Sequence, residues 1–186
     1  KYSVIGGNYA FMPIECILEN RNITKELFNL DKSVVEDYNN YDNMQEGIDL
    51  LMKHIDNKSK ILMVCDPDVD GSTSFSMFYN YLKEIYTDID IEYKLHTGKQ
   101  HGLSEDIIVD DNINLVVLPD ASSNDFKQHK DLKDKGIDVL VIDHHLCDEG
   151  YSPYAVVINN QLSKKVINKN LSGAGVVYKF LKALDD

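Results

Sequence analysis

Three runs of aliphatic and β-branched residues, "KILMVC" (60–65), "INLVVLP" (113–119) and "IDVLVID" (137–143), constrain this chain more than any other feature. In each, apolar residues follow one another without alternation. That pattern predicts strands covered on both faces, the environment of a parallel sheet. Helical segments separate them. "NMQEGIDLLMKHI" (43–55) gathers Met44, Ile48, Leu51, Met52 and Ile55 on one helical face, and "STSFSMFYNYLKEIY" (72–86) reads as a second helix. "SNDFKQHKDLKDKG" (123–136) reads as a polar helix ended by glycine, and "SGAGVVYKFLKALD" (172–185) as a last helix. "IDIEYKL" (89–95) alternates and "YAVVIN" (154–159) is a short apolar run, so both predict strands. The expected class is α/β, a parallel, Rossmann-like sheet with helices on both faces.

The first 43 residues are more polar and are punctuated by Gly6-Gly7, Pro13 and "NNYDN" (39–43). "PIECILENR" (13–21) and "TKELFNL" (24–30) predict short helices, the second capped by Thr24. The expectation is an N-terminal helical or irregular segment, 1–43, packed on a main domain, 44–186. A start without Met is expected of a piece of a longer product.

Composition narrows the class. At 43% apolar and 27% charged the chain suits a globular core, and no apolar run approaches the ~18 residues that cross a bilayer. Neither a membrane association nor a signal peptide is expected. Cys16, Cys65 and Cys147 form no CxxC pair, which fits a reducing, cytoplasmic setting. A net charge of −12 argues against a broad basic surface for nonspecific nucleic-acid binding.

The unusual residues fall at the carboxyl ends of the predicted strands. Asp66, Asp68 and Asp70 follow the first, Asp120 follows the second, and Asp143, His144 and His145 follow the third. Open α/β sheets place their ligand crevices at that edge. Carboxylates gathered so closely raise one another's pKa values or require a cation. Oxygen donors with an imidazole suit Mn²⁺ or Mg²⁺, and several Asp can hold two ions about 3.5–4 Å apart. The "DGSTS" step (70–74) adds a candidate phosphate cradle, with Gly71 allowing close approach and a helix start near Ser72 offering free N–H groups. Any one of these acids serves equally well as a helix cap or turn residue. The convergence of three segments favours a site. A calcium loop beginning at Asp66 is excluded because its twelfth position is Met77 rather than an acid.

Together, "CDPDVDGSTS" (65–74), "LPDASS" (118–123), "VIDHH" (141–145) and "LSGAGVVYKFLKAL" (171–184) resemble the DHH phosphoesterase superfamily, and within it RecJ-type single-strand-specific 5′→3′ exonucleases. The resemblance covers the chain from about residue 13 to its end. It implies a hydrolase in which a metal-activated water attacks a phosphodiester in line and releases a mononucleotide. By position it implies that Asp66, Asp68, Asp70, Asp120 and His144 hold one or two Mn²⁺ or Mg²⁺ ions, with Asp120 as the bridge. Asp143 would orient the histidines and His145 would contact the scissile phosphate. "HTGKQHGLS" (96–104) stands where the family carries a substrate loop, so Lys99 and His101 join Gly71 and Ser72 as candidate phosphate contacts. Single-stranded DNA or a short oligonucleotide is the implied substrate, and replication or repair proteins are possible partners.

The sequence also departs from the family. Ala121 and Ser122 follow the Asp of "LPDASS" where an Asp-Asn/Cys-Gly arrangement is usual, and a fourth motif and C-terminal substrate-binding domain are expected beyond residue 186. Two other functions remain open at this level. One is a DHH enzyme for oligoribonucleotides, cyclic dinucleotides or pyrophosphate, and the other a non-catalytic partner-binding module.

Overall fold

The computed structural model describes residues 13–21, 35–104 and 106–186. The chain divides into two units, Lys1–Val35 and Glu36–Asp186. Helix α1 (Pro13–Asn20) belongs to the first. The expected helix at 24–30 lies outside the described residues.

The second unit is built on a five-stranded sheet. After α2 (Met44–Asp56) come β1 (Ile61–Cys65), α3 (Val69–Ile85), β2 (Ile91–Leu95), β3 (Leu115–Pro119), α4 (Phe126–Asp134), β4 (Asp138–Asp143), β5 (Val156–Asn159) and α5 (Gly173–Asp185). The order across the sheet is β2-β1-β3-β4-β5, with every pairing parallel. Strands β1 and β3 are buried at every position, as their unbroken apolar runs require. Strand β2 is an edge strand and less covered, with Ile91 buried but Tyr93 and Leu95 exposed.

Two cores follow from the pleat. Ile61, Met63, Leu115, Val117, Leu140 and Ile142 face α2, α3 and α5, where Leu51, Phe78, Leu82, Val176 and Phe180 are buried. Leu62, Val64, Val116, Leu118, Val139 and Val141 face the other way. They meet Leu132 of α4 together with Leu103, Ile107 and Ile113 of the β2–β3 connection. The crossovers through α3 and α4 run in opposite directions along the sheet, and the right-handed rule therefore puts these helices on opposite faces. Gly47 lets α2 approach closely, since a methyl there would press on Ile158 and Phe180. No described helix is long and apolar enough to cross a membrane.

Two boundaries differ from the sequence expectation. Helix α3 begins at Val69 rather than at Ser72, because Asp68 caps it by accepting the Gly71 N–H at 2.8 Å. Helix α4 begins at Phe126 rather than at Ser123, because residues 121–125 form a turn in which the Ser123 N–H donates to Asp143.

Candidate metal centre

The order of the strands reverses direction at β1, which opens a crevice between the carboxyl ends of β1 and β3. Asp66 directly follows β1, Asp120 directly follows β3, and Asp143 is the last residue of β4. Three segments far apart in sequence therefore bring their acids to one edge.

Asp120 is the most constrained of these residues. It is 0% exposed and has a φ of +75°, a conformation uncommon for a residue with a side chain. Its N–H is fixed to the Ile142 carbonyl at 2.7 Å, yet neither carboxylate oxygen has a hydrogen-bond partner among the described residues. The His144 Nε2 stands 3.2 Å from Oδ1 without hydrogen-bond alignment. Burial, followed by repulsion from Asp70, Asp143 and Asp68, pushes its pKa up to about 8. A bare buried carboxylate among other carboxylates is what a cation would satisfy, so the residues present fit a divalent metal.

Two donor sets share Asp120. Asp66, Asp68 and Asp120 form one, and Asp120, His144 and His145 the other, with the donor atoms in each within 4.8 Å of one another. The first is all oxygen and the second adds imidazole, a combination suited to Mg²⁺ or Mn²⁺.

Asp70 is held differently. Its two oxygens accept the N–H groups of Gly173 and Ala174 at 2.8 and 2.9 Å, so it caps the first turn of α5. Its Oδ2 lies 3.5 Å from His144 Nε2. Gly173 is dictated by Asp120, because a methyl at that position would overlap the Asp120 carboxylate. The role of "SGAG" is thus to let α5 start directly against the buried acid.

The phosphate cradle expected from Gly71 and Ser72 is not formed by their backbone. The Gly71 N–H is taken by the Asp68 carboxylate and the Ser72 N–H by the Asp68 carbonyl. Gly71 is required instead for packing, since a methyl there would collide with Cβ and the carbonyl of Asp66. Lys99 is exposed, and no hydrogen bond ties it to the described residues of the crevice.

Two histidines lean on buried carboxylates in the same way. His145 Nδ1 meets Asp143 Oδ1 at 2.7 Å, and His101 Nδ1 meets Asp66 Oδ2 at 2.7 Å. Asp143 also accepts the N–H groups of His144, His145 and Ser123. Burial opposes its charge, but the bonds from His145 and Ser123 hold its pKa down to about 2. The bond to Asp143 in turn raises His145 to about 9, which makes it an imidazolium at neutral pH. Both rings line a pocket of about 290 Å³ together with Ser122 and Asp125. Asp125 pins the far wall by accepting the Leu103 N–H and the Ser122 hydroxyl.

Sequence reasoning did not single out Ser123, Asp125 or Asn159, all of which join this network. Ser123 was visible only as part of "LPDASS", and Asn159 only as the polar end of an apolar strand.

The family model described as DHH family, N-terminal domain, matches residues 60–186. Over its full length the chain is 44% identical to a Bacillus subtilis protein named as an SPbeta prophage-derived single-strand DNA-specific exonuclease, YorK, of which it covers 32%. It is 30% identical over 166 residues to the single-stranded-DNA-specific exonuclease RecJ of Haemophilus influenzae, covering 87% of this chain and 29% of that one. The chain therefore spans about a third of the length of these relatives. Among solved structures, an exonuclease RecJ bound to manganese superposes with a TM-score of 0.67 at 22% identity, over 77% of this chain and 37% of that one. RecJ of Thermus thermophilus in complex with Mn²⁺ superposes with a TM-score of 0.63 at 21% identity, over 77% of this chain and 21% of that one.

Proposed function

The chain belongs to the DHH family, and from that premise we propose that it is the catalytic core of a metal-dependent phosphodiesterase, a RecJ-like 5′→3′ single-stranded DNA exonuclease. The observation that carries this reading is Asp120, a buried acid with both oxygens bare that is shared by two donor sets. Asp66 and Asp68 would hold one ion with it, and His144 the other. Asp70 stands beside them as a further donor. Bound ions there would neutralise charge on a phosphoryl group and activate water. The proposed metal is manganese, because imidazole joins the oxygen donors and the superposing RecJ structures contain it.

The protein's own groups supply the remaining chemistry. The His145 imidazolium has Nδ1 committed to Asp143, which leaves Nε2–H to donate to a phosphate oxygen. His101, anchored on Asp66, lines the same pocket and can contact the same nucleotide. The unit Glu36–Asp186 would be the catalytic domain. The fourth motif and the substrate-binding domain that the family resemblance implies would be supplied by further chain, in keeping with relatives about three times as long. Neither Cys65 nor Cys147 is joined in a disulfide, which supports a cytoplasmic setting.

The test is to incubate the full-length protein with Mn²⁺ and end-labelled single-stranded DNA, double-stranded DNA and oligoribonucleotides, alongside Asp120→Ala. Cleavage of single-stranded DNA from its 5′ end that is lost in the variant is expected. Cleavage that persists in Asp120→Ala would sink the assignment, and cleavage confined to very short substrates would move it to another DHH activity.

A further inference from the structure

We infer that Asn159 is a positioning residue for the reaction centre, its amide closing a buried hydrogen-bonded ring that sets where Asp143 and His145 stand. This rests on the metal-dependent reading above. Asn159 is the last residue of β5 and pairs in register with Asp143 at the end of β4. It is 0% exposed and hydrogen-bonds no candidate ligand side chain among the described residues. Its Nδ2 donates to the Ser123 hydroxyl at 2.8 Å and to the His145 carbonyl at 2.9 Å. The Ser123 N–H donates to Asp143 at 3.0 Å, and Asp143 accepts His145 Nδ1 at 2.7 Å. The circuit therefore returns to the residue from which it started, with Asn159, Ser123 and Asp143 all buried.

The residue type follows from the partners. One end of the side chain must accept, because Oδ1 takes the Gln161 N–H at 2.7 Å, and the other must donate twice. Asp has the same shape but donates nothing, and it would face the His145 carbonyl with a like charge. Leu has nearly the same shape but neither accepts nor donates. The Gln161 bond also fixes which way the amide points, and it begins the stretch that leads to Gly173. Lys169 clips that stretch by donating to the carbonyls of Asn160 and Ser163, both at 2.7 Å. One amide thus ties the His145 segment, the turn after Asp120 and the approach to α5 into a single unit.

The test uses the full-length protein with Mn²⁺ and labelled single-stranded DNA, and compares Asn159→Asp, Ser123→Ala and the double variant. Asn159→Asp is expected to lower kcat by about 10²-fold with KM within about threefold, the scale on which a misplacement of about 1 Å acts. Ser123→Ala should cost less, and the double variant should lose no more than Asn159→Asp alone, since both cut one circuit. A second readout does not need activity. In proton–nitrogen spectra of the metal-free protein, the downfield His145 Nδ1–H signal should be lost in Asn159→Asp. An unchanged signal, or losses in kcat that add fully, overturns the inference. If Asn159→Asp does not fold, Ser123→Ala must still lower kcat without raising KM, and failure to do so overturns it equally. A wild type without nuclease activity whose imidazole signal is nevertheless lost in the variant would refute the exonuclease reading and leave the positioning role standing.

Discussion

Strand β4 begins and ends on an aspartate, and the two edges of the sheet that it joins treat their acids in opposite ways. At the amino end, Asp138 accepts Lys53 Nζ at 2.9 Å, His54 Nε2 at 3.0 Å and Lys133 Nζ at 3.2 Å. Burial opposes its charge, but these partners bring its pKa down to about 2. At the carboxyl end, Asp143 is satisfied by one imidazole and several N–H groups, while the Asp120 carboxylate beside it has no hydrogen-bond partner among the described residues and sits at about 8. The same sheet therefore completes its acids with lysines on one edge and leaves an acid bare on the other. The bare edge is also where the strand order reverses and a ligand has room. An unsatisfied buried acid is costly, and a fold carries that cost where an outside cation can offset it.

The sharpest way to break this comparison is to crowd the bare acid without changing any charge. In Gly173→Ala the new methyl would overlap the Asp120 carboxylate, so the acid or α5 must shift. We expect kcat to fall by about 10²-fold, as displacements of about 1 Å in a reaction centre do. Mn²⁺ affinity measured by calorimetry should weaken alongside. Wild-type turnover in Gly173→Ala would mean that the closeness of α5 to Asp120 is incidental.

The next test separates the two edges by pH. The folded pKa of Asp120, about 8, lies above its ordinary value of 3.8, so between these values the folded state holds a proton that the unfolded state has lost. Stability of the metal-free protein should therefore fall as pH rises from about 4 to about 8, by up to a few kcal/mol. In Asp120→Asn that slope should flatten. With saturating Mn²⁺ it should also flatten, because an ion that binds only the folded state replaces the proton. Urea melts across this range would check it, and a slope that is identical with and without Mn²⁺ would remove the metal from the explanation.

How much of this could be seen in the sequence differs between frame and site. Strands β1, β3 and β4 were legible because burial on both faces forces unbroken apolar runs, and their carboxyl ends already located Asp66, Asp120 and His144 on one edge. The start of α3 was not legible, because Asp68 serves as a cap, and residue type does not distinguish a capping acid from a ligand. The tie between His101 and Asp66 spans 35 residues, and that between Asn159 and Ser123 spans 36. Neither leaves a periodic trace. Nor does the sequence reveal that the loop carrying His101 fastens itself through Asp106, which accepts from Thr97, His96 and Ser104. Gly173 was visible as part of a motif, but its reason, the Asp120 carboxylate beside it, belongs to a residue 53 positions earlier.

The smallest effect is expected at the completed edge, where Asp138→Asn removes the charge and keeps the shape. Lys53 and Lys133 are more than half exposed and return readily to solvent, whereas His54 is buried and loses its only charged partner among the described residues. The cost at neutral pH should therefore be about 1–2 kcal/mol, the lower part of the range for hydrogen bonds to charged groups. The sign with pH is opposite to that of Asp120. A folded pKa of about 2 below an ordinary value of 3.8 means that the stabilisation is present above pH 3.8 and is lost as pH falls through about 2. Wild type and Asp138→Asn should consequently converge in acid and differ at neutral pH, while turnover and Mn²⁺ affinity stay the same in both. A change in turnover would show that the two edges communicate through β4, and the division of labour along that strand would then have to be abandoned.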